Sequence, residues 1–309
     1  MDENILEIIF QGEKMIKIYD RQTKQYETEK IAGKGLIKGL YNTTAGKLGL
    51  ELFIKRKLYS RLSGFFCDTG LSARNIQKFI DDFGIDMSIC KDNIEDFKSF
   101  NQFFTRRLKP GARVFSIDPV ILPSPGDGRV RAWTGIDVNK LVQVKGITYT
   151  LEELLADKQL ADRYQGGICL ILRLAPVDYH RFHFVDSGTC SQSKKIKGHY
   201  YSVNPIALNS IRRAFCLNKR EYSILHSENF KDILYMEIGA TSVGAIVQTY
   251  TPGSGAARGD EKGYFKFGGS TVILFLEKGA AHIDEEILYQ TQLGYETRVL
   301  AGDEIGRKI

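Results

Sequence analysis

The feature that most limits how this chain can fold is a change of character at Pro110-Gly111. Before it, apolar residues recur at helical spacing. Leu50, Ile54, Leu58 and Leu62 fall four apart, with Phe65 and Phe66 following. Leu71 to Asn75 reads as a helix start, Ile76 to Phe83 as a helix ended by Gly84, and Ile94 to Leu108 as one further helix. After it, short β-prone runs alternate with turn residues: Val130 to Trp133, Leu141 to Val144, Ile168 to Leu174, Gly188 to Lys197, Tyr222 to Leu225, Ile233 to Ile238, Gly244 to Gln248 and Val272 to Leu276. Leu151 to Leu155 reads as a short helix there, with Ala207 to Ala214 as a second candidate. Near the start, Ile16 to Arg21 resembles a hairpin strand. The expectation is an α+β fold. An N-terminal amphipathic helical region, residues 1–105, precedes a β-rich domain, residues 106–309.

The 309 residues suffice for a large core. No run approaches the roughly 18–20 apolar residues of a membrane span. The acidic start, Met1-Asp2-Glu3-Asn4, is unlike a signal peptide. The cysteines (Cys67, Cys90, Cys169, Cys190, Cys216) are odd in number and scattered without a Cys-x-x-Cys. This argues for a reducing compartment and against a disulfide framework or a cysteine-rich zinc site. The net charge of +6 is concentrated. Residues 34–66 carry Lys34, Lys38, Lys47, Lys55, Arg56, Lys57 and Arg61 against Glu51 alone, an excess equal to that of the whole chain. The plain reading is an amphipathic helix with its lysines in water. The functional reading is a helix lying on anionic lipid. Nucleic acid is not expected, because no recognised fold signature or aromatic-basic pattern accompanies the charge.

Three segments carry candidate chemistry. Asp127 lies between glycines in Pro123-Ser124-Pro125-Gly126-Asp127-Gly128, a tight turn entering a strand. Most such aspartates only form turns. His180 and His183 lie three apart in Asp178-Tyr179-His180-Arg181-Phe182-His183. In a turn or helix they share a face, whereas in a regular strand they point to opposite faces. Without a third ligand at suitable spacing they do not make a zinc site. Finally, Gly268-Gly269-Ser270-Thr271 leads from a glycine-rich loop (Thr251 to Gly263) into Val272 to Leu276. Ser270 is expected to be an exposed nucleophile beside the sterically open Gly269 peptide. The motif lacks the Gly-x-Ser-x-Gly elbow of an α/β-hydrolase, because Val272 stands where a glycine is needed. Asp, His and Ser in loops are the raw material of a triad, but spacing alone does not bring them together.

Taken in order, these segments resemble the pyruvoyl-dependent phosphatidylserine decarboxylases. Phe103-Phe104-Thr105-Arg106-Arg107-Leu108 is similar to that family's Phe-Phe-x-Arg-x-Leu, and Pro125-Gly126-Asp127-Gly128 to its Asp-Gly turn. Asp178 to His183 resembles its Asp-Tyr-His-Arg-x-His motif, the most specific of the set. Tyr201-Ser202-Val203-Asn204 and Gly239-Ala240-Thr241-Ser242-Val243-Gly244 follow in the same order. Gly269-Ser270-Thr271 falls at the family's self-cleavage site, with Gly268 where many bacterial members have Leu.

The resemblance implies an enzyme that converts phosphatidylserine to phosphatidylethanolamine and CO2. It implies a covalent pyruvoyl group made from Ser270, an electron sink for the carbanion left by decarboxylation. It gives His183 the role of base in self-cleavage, Asp127 that of orienting it, and His180 a part in decarboxylation. The two chains, 1–269 and 270–309, would remain associated. It also implies that residues 34–66 dock on an anionic membrane, peripheral on the cytoplasmic face of the cell membrane. The alternatives are a pyruvoyl enzyme acting on another serine-linked substrate, a Ser-His-Asp hydrolase, and a non-catalytic lipid-binding protein.

Overall fold

Seven consecutive buried residues, Ser270–Leu276, form the strand around which the molecule is built. The computed structural model describes residues 17–29, 64–144, 147–203, 208, 211, 213–239, 245–268 and 270–309. The basic stretch 34–63, Gly269, Asn204 and Ala240 to Gly244 lie outside the described residues.

The central strand pairs antiparallel with Asp232–Gly239 on one side and Ile168–Leu174 on the other. Outward from Asp232–Gly239 come Arg220–Ser227, Gly188–Cys190 and Gly255–Ala256, with Lys194–Ile196 also on Arg220–Ser227. Outward from Ile168–Leu174 come Gly128–Thr134, Glu296–Val299, Lys17–Asp20 and Gln25–Thr28. The last two are the expected N-terminal hairpin, so the sheet of the β-rich region takes its edge from before residue 105. Lys17–Asp20 runs parallel to Glu296–Val299, and the other pairings in this sheet are antiparallel.

Strands buried on both faces read as continuous apolar runs, and Ser270–Leu276 is one. Val272 and Leu274 enter one core with Val130, Leu172, Phe182 and Phe265. Ile273 and Phe275 enter a second with Leu151, Leu154, Phe215 and Met236. Each such side chain contributes about 1.5–3 kcal/mol on burial. A smaller sheet of Ile246–Gln248, Glu261–Phe265 and Arg181–His183 covers the first face. Lys262 of that sheet reaches Glu237 of the large one at 2.7 Å, a fully buried ion pair that pins the two layers.

The helical part differs from expectation in one place. Ile76–Phe83 is a helix ended by Gly84 at φ +63°, as read. The stretch from Ile94 to Leu108 is not one helix but a 3-10 turn, Ile94–Asp96, and a short helix, Phe100–Phe104. Two polar caps break it. Asp96 folds back onto Asn93, Phe97 turns extended, and the Ser99 side chain accepts from Gln102 N–H at 3.3 Å to start the second helix. Phe97, Phe100, Phe103 and Phe104 then pack with Ile76 and Ile80 into a third core that Phe267 joins. Gly188 to Lys197 likewise splits into two strands, and the helices Lys158–Asp162 and Glu285–Leu293 were not anticipated.

Candidate active site

Ser270 begins the central strand, opposite Gly239 on one neighbour and Leu174 on the other. It is 1 % exposed, so the expectation of an exposed nucleophile is corrected. The second layer and the third core close over it. Gly268, two residues before, sits at φ +143°, a region L side chains rarely adopt.

The ring in contact with Ser270 is that of His180, whose Nδ1 lies 3.1 Å from Ser270 Oγ. His180 Nε2 lies 3.0 Å from the Ala175 carbonyl. A carbonyl only accepts, so Nε2 carries the proton and the Nδ1 lone pair faces the serine hydroxyl. Phe104 stacks on the ring at 3.9 Å between centroids, which excludes water from one face. Burial pushes the His180 pKa down to about 3, with Arg106 and Arg129 adding to the effect and Asp178 and the Ala175 carbonyl opposing it.

The Ala175–His180 turn is itself held. Asp178 accepts from Ala175 N–H at 2.6 Å and pairs with Arg129. Arg129 meets Glu29 at 2.7 Å, and Glu29 also meets Arg173 at 2.8 Å. Arg173 in turn binds Glu296. By strand register Arg173 and Arg129 share the Thr271 face, opposite that of Ser270, and Asp178 ties them to the His180 turn.

His183 occupies the end of the Arg181–His183 strand, where alternation turns it away from His180. Its Nδ1–H donates to the Gly259 carbonyl at 2.9 Å. This leaves Nε2 as the lone pair, and that nitrogen is buried with no hydrogen-bond partner among the described residues. Tyr179 stacks on the ring at 5.8 Å and Phe115 leans on it at 5.4 Å. Burial lowers the His183 pKa, while the Gly259 carbonyl, Glu261 and Asp127 act to raise it.

Asp127 enters the Gly128–Thr134 strand from the expected turn, and His183 N–H donates to Pro125 O at 2.7 Å, which places turn and histidine side by side. A side chain at Gly128 would put a Cβ 2.7 Å from the Arg173 carbonyl, so the strand can approach only as glycine. The Asp127 carboxylate accepts from Arg113 Nε at 2.7 Å, Arg113 Nη2 at 2.5 Å and Ala301 N–H at 2.8 Å. It does not bond to His183.

The structure therefore gathers Ser270 with His180, and Asp127 with His183, in adjoining contacts. The sequence reading gave no sign of Arg113 or Glu29. Phe104, Asp178, Arg129 and Gly259 lay within or beside quoted segments but were given no role. The remaining histidines are elsewhere: His226 pairs with Asp232 at 2.7 Å and is largely exposed.

A family model described as phosphatidylserine decarboxylase matches residues 100–307. A protein of Ruminiclostridium cellulolyticum named phosphatidylserine decarboxylase proenzyme is 57% identical over 295 residues, covering 96% of this chain and 98% of its own length. Proteins of the same name from Clostridium perfringens and Clostridium botulinum are 58% and 57% identical, over 95% and 96% of this chain and the full length of each. With its site residues in matching order and its length aligned almost throughout, the chain belongs to the phosphatidylserine decarboxylase family.

Proposed function

We propose that this chain is made as an uncut precursor, cleaves itself between Gly269 and Ser270, and then works as a phosphatidylserine decarboxylase that releases CO2 and leaves phosphatidylethanolamine. The observation that carries this is the buried Ser270 hydroxyl, at the head of the central strand, facing the lone pair of an oriented imidazole. Among the described residues such a serine is shielded from bulk solvent. Its own preceding peptide bond is the electrophile within reach by connectivity.

The cleavage balances without a co-reactant other than water. Ser270 Oγ loses its proton to a histidine and attacks the Gly269 carbonyl carbon. The C–N bond breaks, the amide becomes an ester, and the nitrogen of residue 270 takes the proton. Loss of the Cα proton then expels the Gly269 carboxylate across Cα–Cβ and leaves dehydroalanine. Tautomerisation and hydrolysis release ammonia and leave a pyruvoyl group on residues 270–309. That group supplies an electron sink when carbon dioxide departs from an α-amino acid.

Two histidines compete for the role of base. We assign it to His183, with Asp127 supplying charge, and assign His180 to the decarboxylation. Proton affinity supports this division. His180 is pushed by burial down to about 3 and is a weak acceptor, whereas at His183, which burial also lowers, the Gly259 carbonyl, Glu261 and Asp127 oppose the shift and Nε2 is unspent among the described residues. The second reading gives the first proton to His180, and the 3.1 Å contact favours it.

The substrate is a bilayer lipid, so the surface that meets the membrane belongs to the same proposal. We assign it to residues 34–66 acting on the cytoplasmic face of the cell membrane, within a supporting region, 1–105, that precedes the catalytic domain, 106–309. Phe65 and Phe66, at the described end of that segment, are 72% and 49% exposed.

Intact-mass measurement of purified enzyme tests the chemistry. Two chains are expected, the smaller starting at residue 270 with pyruvoyl in place of serine. A single uncut species with full activity overturns it. Co-sedimentation tests the surface: binding to vesicles containing phosphatidylserine should exceed binding to phosphatidylcholine vesicles, and equal binding counts against it.

A further inference from the structure

Arg106 is a buried cation, 6% exposed, without a directly paired carboxylate among the described residues. Its Nη2 donates to the carbonyls of Val177 at 3.2 Å and Asp178 at 3.4 Å, both long contacts, and its Nη1 has no partner. The guanidinium also lies over the Phe103 ring at 5.0 Å. Burial lowers its pKa, while Asp127 and Asp178, near but not paired with it, act to raise it. An arginine in this state is costly to fold around unless an anion completes it.

A cavity of about 380 Å³ opens against Arg106. Lys91 and Arg107, both exposed, share its lining. They stand on facing stretches joined by Lys91 N–H to Arg107 O at 2.9 Å and Lys109 N–H to Ile89 O at 2.9 Å. Asp92 and Asp96 also line the cavity, so an anion is accepted only against the arginine side. Exposed cations at the mouth and the buried guanidinium of Arg106, which shares the lining, make an attracting rim and a seat. Guanidinium suits phosphate because it offers paired donors in a plane.

The cavity is joined to the chemistry through one short peptide. Arg106 grips the carbonyls one and two residues after Pro176, His180 follows two residues later, and Phe104, two residues before Arg106, stacks on that ring. In a serine phosphodiester only the serine methylene separates Cα from the phosphate oxygen. An anchor for the phosphate must therefore lie close to the reacting residue.

We propose that Arg106, with Lys91 and Arg107 at the rim, binds the phosphodiester of the substrate head group. This rests on the decarboxylase reading, and it adds the group that tells a phospholipid from free serine.

The test keeps the two claims apart. Intact mass of wild type and Arg106→Gln reads self-cleavage alone, and failure of the wild type to cleave counts against the decarboxylase reading rather than this site. With cleaved Arg106→Gln, the KM for a dispersed short-chain phosphatidylserine should rise about tenfold or more, with kcat changed far less. Glycerol phosphate should inhibit the wild type competitively and lose its effect on the variant. Inhibition by inorganic phosphate with KM unchanged in the variant identifies an adventitious ion only, and overturns the proposal. Where Arg106→Gln does not cleave, the uncut Ser270→Ala chain serves instead. Its melting temperature should rise in glycerol phosphate relative to chloride of equal ionic strength, and no rise overturns the proposal. Lys91→Gln with Arg107→Gln should give a smaller rise in KM that salt diminishes; a KM equal to wild type at low salt removes the rim from the proposal and overturns that part.

Discussion

The central strand separates two polar regions that lie back to back. Behind it, Arg129 and Arg173 are threaded among Glu29, Asp178 and Glu296, each charge meeting an opposite one. In front, at Ser270, the polar groups are few and only partly spent. His180 offers a lone pair to a hydroxyl, His183 offers one to nothing described, and Arg106 keeps an idle nitrogen. Both regions are buried, so solvation does not distinguish them. The difference lies in charge pairing. A network whose charges are paired fixes a backbone, while unpaired groups retain the capacity to accept a proton or an anion.

The largest effect expected is at the front. Ser270→Ala should give one intact mass and reduce decarboxylation to background, because neither cut nor cofactor can form. Any second chain beginning at residue 270 breaks the assignment. Next, His183→Ala should slow self-cleavage by about 10²–10⁴-fold, the usual contribution of a general base, while His180→Ala should still cut but fail to decarboxylate. A time course of intact mass reads both, and the reverse pattern transfers the base to His180.

Behind the strand the expected effect is on stability. Arg173→Met leaves Glu296 without its partner and Glu29 with Arg129 alone, and should cost about 3–5 kcal/mol in urea unfolding of the uncut Ser270→Ala chain. A loss under about 1 kcal/mol, typical of a solvated pair, removes the contrast between the regions.

The smallest effect is acid sensitivity. His180 is held at about 3 when folded against an ordinary 6.5, so the unfolded chain binds more protons across that interval. Its contribution is fully present above pH 6.5 and is lost as pH falls towards 3. Between pH 7 and pH 5 this one ring should account for roughly 2 kcal/mol of lost stability. His180→Asn in the uncut chain should flatten the acid limb by that amount, and an unchanged limb shows that the ring is not buried neutral.

Much of the front was legible in the sequence, and little of the back. The strand was written in Val272 to Leu276, and the Asp127 turn in its prolines and glycines. The motif Asp178 to His183 announced both histidines, but not that strand alternation would send one to Ser270 and the other to Gly259. Burial of Ser270 was missed because it depends on a second sheet and on Phe104, brought in from distant parts of the chain. The helix expected from Ile94 to Leu108 failed because the caps at Asn93 and Ser99 outweigh the apolar spacing. Nothing local marks Glu29 as the partner of arginines 100 and 144 positions later, since ion pairs at such separation leave no periodicity to read.

Pairing of Ser270 with both Gly239 and Leu174 has a consequence for the cut enzyme. A nick usually creates ends that fray at the surface. This one would create an amino end in the middle of an eleven-stranded sheet, clamped by a ladder on either side. The reactive group would then be as immobile as the core itself. Unfolding would also become irreversible in kind. Once the 270–309 piece left, its return would be a second-order event between two polypeptides, slowed by dilution, and no peptide bond would remain to guide it home.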